Sequence, residues 1–117
     1  MNIELLQKKI REFVQERDWE KYHNPKNLSM ALAGEAGELL EIFQWLTPAE
    51  SSEIKNNPQA YQRTKHEIAD ILVYLLRLSD KLEIDLEQAV LEKIKLNQEK
   101  YPTHLAKGSA KKYTDLK

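Results

Sequence analysis

Cysteine is missing from this sequence, which excludes disulfides and thiolate metal sites and removes the support for a small secreted scaffold. The expected address is the cytoplasm. A long hydrophobic run is missing too. The most apolar stretch, IADILVYLLRL at 68–78, is interrupted by Asp70 and Arg77 and falls far short of the ~20 residues needed to cross a bilayer. The opening MNIELLQKKIREF carries charges in its first turns and has no apolar signal core, so no secretion signal is expected there. Charge of one sign is not in surplus. A formal net charge of -1 gives no general attraction to nucleic-acid polymers or anionic membranes. Any anionic ligand must be met by local cations.

Glycine and proline are scarce, at three and four in 117 residues, and the prolines stand where helices would begin or end. What is present is 41% hydrophobic and 32% charged residues, interspersed along the chain, enough to build the core of one domain over 1–117. Ile3, Leu6, Ile10, Phe13 and Val14 recur at helical spacing and predict a first amphipathic helix over 2–17. The polar segment RDWEKYHNPKN breaks the pattern, and Asn27 is then a natural cap for a second helix over about 28–46. Thr47-Pro48 closes it, and 48–58 is a polar connection with room for a short helical turn.

A third helix is expected over about 60–81. Its middle is apolar on nearly every side from Ile68 to Leu78, as in a helix buried all round. A lone chain of this length cannot bury that much, so part of the surface is expected to meet a second copy. Asp85, with Gln88 three residues on, announces a fourth helix through a variant of the capping box. Leu86, Ala89, Val90 and Ile94 follow, and Pro102 stops the helix. The tail from about 103 to 117 is basic and aperiodic. The fold class read from these signals is an all-α bundle of four main helices.

Within this frame GEAGELLEIFQW at 34–45 sets Glu35, Glu38 and Glu41 in steps of three among apolar residues, and HEIAD at 66–70 repeats the device with Glu67 and Asp70. Residues three apart share one helical face, so each helix can present two carboxylates in one direction. If the helices pack side by side, four carboxylates converge. Such a group repels itself and raises its own pKa values unless a cation neutralises it. An all-oxygen set suits Mg²⁺, or Mn²⁺, better than zinc. The Glu-x-x-His pairs of a diiron centre are absent from both motifs. A lone ExxE is commonly a solvated surface pattern; two pairs on successive apolar helices are not readily explained that way. Glu41 is the odd one out, either a partner behind the ligands or a solvent-facing group.

Magnesium held by carboxylates typically keeps waters and binds substrate phosphates, which points to phosphoryl or nucleotidyl chemistry. Trp19 and Trp45 fall just beyond helix ends, where indole rings can stack on a base or simply pack. Asn97 and Tyr101, four apart on the last helix, bracket a polar face from which a base edge could be read. Lys107, Lys111 and Lys112 in the basic tail are the candidate phosphate cations; their plainer reading is a solvated terminus.

GEAGELLEIFQW, HEIADILVYLL and DLEQAVLEKIKLNQEKYPTHLAKGSAKKYT together closely resemble the MazG-like all-α nucleoside triphosphate pyrophosphohydrolases, in the single-domain branch that includes the dCTP pyrophosphatases. The likeness covers nearly the whole chain, RDWEKYHNPKNL included. It implies hydrolysis of a nucleoside triphosphate between the α and β phosphates with Mg²⁺, and dCTP or modified pyrimidine deoxynucleotides as the nearest substrate class. It further implies Glu35, Glu38, Glu67 and Asp70 as metal ligands, with Glu35 or Glu38 also positioning the attacking water. Trp19, Trp45, Asn97 and Tyr101 would line the base pocket, and Tyr74 would lie near sugar or phosphates. A homotetramer built as a dimer of dimers, with sites between subunits, is implied as well. Many relatives begin the first motif with two adjacent glutamates, where this chain has Gly34, which leaves the number of metal ions open. Gly34 itself suggests a close approach by backbone, ligand or packed helix. Competing readings are phosphoribosyl-ATP pyrophosphohydrolase, a broad-specificity enzyme that removes damaged nucleotides, and a non-catalytic helical oligomer with a structural cation site.

Overall fold

Asparagine followed by proline starts both long helices. In the computed structural model, which describes residues 1–115, helix α2 runs Pro25–Phe43 and helix α4 runs Pro58–Lys81. Asn24 Oδ1 accepts from the Asn27 N–H at 2.9 Å, and Asn57 Oδ1 from the Ala60 N–H at 3.2 Å. Pro at the first helical position has no N–H to leave unpaired and comes with its φ preset. The sequence expectation that Asn27 caps α2 is therefore corrected: Asn24 is the cap and Asn27 the donor to it. The helix also ends earlier than expected, at Phe43, leaving Trp45 and Leu46 beyond it.

Helix α1, Ile3–Glu16, is capped by Asn2, whose Oδ1 accepts from the Leu5 N–H at 3.0 Å. A tight turn follows, with Asp18 in the left-handed region at φ 54, and then a 3₁₀ turn at Glu20–Tyr22. Between α2 and α4 the polar connection folds as a short helix α3, Pro48–Ser52, and a 3₁₀ turn at Ile54–Asn56. Thr47 and Glu50 close a reciprocal capping box at the start of α3, at 2.9 and 3.1 Å.

Residues Met1–Glu83 form one compact unit, in which α2 packs along α4 and α1 lies on α4. Val14, Leu28 and Leu76 are its fully buried apolar side chains. Polar ties join α1 to α4. The Gln7 amide donates to the Leu76 carbonyl and to Ser79 Oγ, each at 3.2 Å. Arg11 Nη1 meets both oxygens of Asp80 at 2.8 and 2.9 Å. The apolar middle of α4 is only partly covered: Ile68 is 54% exposed, Val73 38% and Leu75 39%. A side chain placed at Gly34 would meet nothing within 4 Å, so no packed helix of this chain requires that glycine.

A second compact unit begins at Ile84. Asp85 caps helix α5, Leu86–Lys100, by accepting from the Gln88 N–H at 3.1 Å, and Pro102 separates it from helix α6, Thr103–Ala106. Leu116 and Lys117, the end of the basic tail, lie outside the described residues. Among the described residues there is no strand, and no helix is long and apolar enough to cross a membrane.

Candidate metal centre

The packing of α2 along α4 decides where the acidic motifs go. Glu35 and Glu38 stand one turn apart on α2, and Glu67 and Asp70 one turn apart on α4. One oxygen from each of Glu35, Glu38 and Glu67 lies within 4.8 Å of the others. Among the described residues, Glu35 Oε2 and Glu67 Oε2 are fully enclosed with no hydrogen-bond partner. An enclosed polar atom left unpaired costs about 1–3 kcal/mol, and more when charged. A bound cation is the natural remedy, and the oxygen-only donor set fits a hard divalent ion. Asp70 is exposed on the next turn of α4, and its charge still acts on Glu35.

The electrostatics follow from this crowding. Burial is the main cause that lifts the Glu35 carboxyl from its ordinary value to about 7. The close carboxyls of Glu38 and Glu67, which can share a proton with it, and the charges of Glu38 and Asp70 add to the rise. Tyr74, one turn beyond Asp70, has its phenol pushed up by burial and then by the charges of Glu35, Asp70 and Glu38. It stays protonated and remains a hydrogen-bond donor beside the cluster. Glu41 is outside the cluster, with Arg63 3.8 Å away. A cavity of about 290 Å³ opens one turn further along both helices, with Glu41 and Arg63 in its wall.

Of the aromatic candidates, Trp19 sets its ring edge-on to Phe13, at 5.7 Å and 74°, with the Arg17 guanidinium stacked on the same Phe13 at 3.7 Å. Trp45 is 86% exposed. Asn97 and Tyr101 belong to the second unit, where the Asn97 carbonyl accepts from the Tyr101 N–H at 2.8 Å. Lys107, Lys111 and Lys112 are exposed in the same unit.

One polar cluster was not foreseen from the sequence. Arg77, 3% exposed, pairs with Glu20, donates from Nε to His23 Nδ1 at 3.2 Å, and has Asp80 at 3.6 Å. Glu20 also pairs with Lys81. Burial, and then the Arg77 charge, hold His23 below its ordinary pKa, consistent with a neutral ring accepting at Nδ1. The sequence signal is the arginine inside IADILVYLLRL, a charge within an otherwise apolar run.

The two longest helices, α2 and α4, thus bring their acidic motifs together, and the oxygens offered are of the kind that suits a hard divalent ion. The chain belongs to the MazG-like family, whose family model matches residues 31–116. It is 46% identical to dCTP pyrophosphatase 1 of Homo sapiens and 49% identical to that of Bos taurus, in each case over 105 residues. Those alignments cover 90% of this chain and 62% of the relatives, so the chain spans about three fifths of the length of the curated relatives it matches. A crystal structure of a pyrophosphatase from Archaeoglobus fulgidus DSM 4304 superposes with a TM-score of 0.78 at 42% identity, covering 87% of this chain and 94% of that one.

Proposed function

We propose that the chain is a nucleoside triphosphate pyrophosphohydrolase, releasing a nucleoside monophosphate and pyrophosphate, with dCTP or a modified pyrimidine deoxynucleotide as preferred substrate. The observation that carries this reading is the convergence of Glu35, Glu38 and Glu67 with two enclosed, unpaired oxygens. The names of the relatives, dCTP pyrophosphatase 1 and a pyrophosphatase, support the reaction and the substrate class.

In this reading Glu35, Glu38, Glu67 and Asp70 hold Mg²⁺, or Mn²⁺ in its place. The ion, when bound, supplies positive charge that offsets the charge of the phosphate oxygens. Glu35 also positions the attacking water and accepts its proton. Glu38 shares the same crowded pocket and keeps Glu35 in register. Tyr74 donates to a phosphate oxygen. Trp19 and Trp45 stack on the base; in the second unit Asn97 and Tyr101 are the candidate base contacts and Lys107, Lys111 and Lys112 the candidate phosphate cations.

The assembly that fits this reading is a homotetramer built as a dimer of dimers, functioning in the cytoplasm. Exposed Ile68, Val73 and Leu75 on α4, and Val90, Leu91 and Ile94 on α5, are the surfaces that favour association. The test is to incubate the protein with Mg²⁺ and a panel of canonical and modified nucleoside triphosphates and to separate the products. Pyrophosphate and a monophosphate, strongest with dCTP, are expected. No turnover with cation binding intact would replace this reading with a non-catalytic helical oligomer.

A further inference from the structure

We infer that Arg77 is a positioning residue that fixes the turn carrying Trp19 against α4 and thereby sets which base the site selects. The inference rests on the reading of the site as a nucleotide site, and adds to it a residue outside both acidic motifs.

The turn after α1 has little apolar anchorage of its own. Residues 15–22 are all exposed, and Asp18 adopts φ 54, a conformation uncommon outside glycine. A turn of this kind would ordinarily be among the least stable parts of a fold. Here it is tied on two sides. Toward α1, the Trp19 N–H donates to the Val14 carbonyl at 3.0 Å and the Trp19 ring meets Phe13. Toward α4, the residue after Trp19 is Glu20, which pairs with Arg77 and Lys81, and His23 accepts from Arg77 Nε. Arg77 therefore reaches two residues of the turn from one buried fork.

Stability alone does not account for an arginine at this place. Arg77 is buried while its partner Glu20 is half exposed, and a buried charge is commonly matched or exceeded in stability by an apolar side chain of similar volume. What an apolar residue cannot supply is direction. The planar guanidinium donates along fixed lines, so the backbone on the C-terminal side of Trp19 is held in one orientation. The same helix carries the acid cluster. Asp70, Tyr74 and Arg77 follow one another at four and then three residues, on one helical face, and Asp70 to Arg77 spans about 10 Å at 1.5 Å per residue. One rigid stripe thus carries a metal-binding carboxylate at one end and the anchor of a stacking ring at the other, as a ligand with phosphates at one end and a base at the other requires.

The test compares Arg77→Lys, which keeps the charge and loses the fork, with Glu20→Gln, which loosens the same tie from its exposed end and spares the core. Pyrophosphate release from the four canonical deoxynucleoside triphosphates is measured with kcat and KM separated. Both variants are expected to raise KM by about fivefold or more with kcat within about twofold. The preference for the best base over the others should fall by about tenfold, with Mg²⁺ affinity unchanged. Unchanged KM and base preference in either folded variant, or an equal loss of kcat on every nucleotide, overturns the assignment and leaves the site reading standing. If Arg77→Lys does not fold, Glu20→Gln decides alone. A wild-type protein that cleaves no triphosphate overturns the site reading and this assignment with it.

Discussion

Glu35 on α2 and Glu67 on α4 each have an enclosed carboxylate oxygen that no donor among the described residues reaches, and an oxygen of each lies within 4.8 Å of the other and of one from Glu38. The arrangement makes sense with a cation among the three. Mg²⁺ or Mn²⁺ should raise the unfolding temperature of the chelator-treated protein, because a ligand that binds only the folded state stabilises it by about 2.7 kcal/mol at a hundred times its dissociation constant. Glu67→Gln should lose most of that shift. Scanning calorimetry with and without the ion checks both, and a wild-type midpoint indifferent to the ion would remove the metal from the site.

Without the ion, the same crowding has a pH signature. Glu35 is lifted from its ordinary 4.5 to about 7 in the folded chain, so the folded state binds its proton more tightly than the unfolded state. The stabilising contribution is complete below the unfolded value and is lost as pH rises through about 7. Ion-free wild-type protein should therefore lose this contribution between pH 4.5 and 7, and Glu35→Gln should flatten that part of the profile. Glu20, lowered by its bond to Lys81, acts in the opposite sense, losing its contribution as pH falls below 4.5. Denaturant midpoints of both proteins at pH 5 and pH 8 therefore read Glu35 without Glu20, whose effect lies below that range.

Glu38 offers the sharper catalytic test. It is exposed on α2, so Glu38→Gln should leave the helices and the unfolding midpoint close to wild type. Because it is a proposed ligand that keeps Glu35 in register, its loss should lower dCTP turnover by at least about 10–100-fold. A variant with normal product release and normal circular dichroism would take Glu38 out of the mechanism.

Much of this was legible in the chain because helical proteins announce themselves locally. The acidic motifs stood out because a spacing of three fixes a shared face whatever the tertiary context, and Asp85 could be placed as a cap for the same reason. Asn24-Pro25 was misread as a break, since Pro both ends and begins helices and only the cap geometry tells which. Arg77 was invisible for a different reason. Its partners Glu20 and His23 lie 57 and 54 residues away, and no local pattern carries such a pairing. The pairing of Glu41 with Arg63 likewise needed the packing of α2 along α4.

The apolar middle of α4 yields the last prediction. Ile68, Val73 and Leu75 remain exposed in a single chain, whereas buried Leu76 and Val14 face its own core. Scattered exposed apolar residues are ordinary, but Ile68 and Leu75, seven residues apart, share one face of α4, and that face is the surface the proposed assembly would cover. Leu75→Asp places a charge in that face, eight residues beyond Glu67 and five beyond Asp70, so it should convert the proposed assembly into smaller species while the helices persist. Sedimentation velocity of wild type and variant at equal concentration reads the change directly. An unaltered sedimentation coefficient would mean that the subunits meet elsewhere, and a monomeric wild type would mean that they do not meet at all. If dissociation also lowers dCTP turnover while the isolated subunit still binds Mg²⁺, part of the site must be built by the neighbouring copy, since the metal-binding carboxylates would then be intact in the single chain.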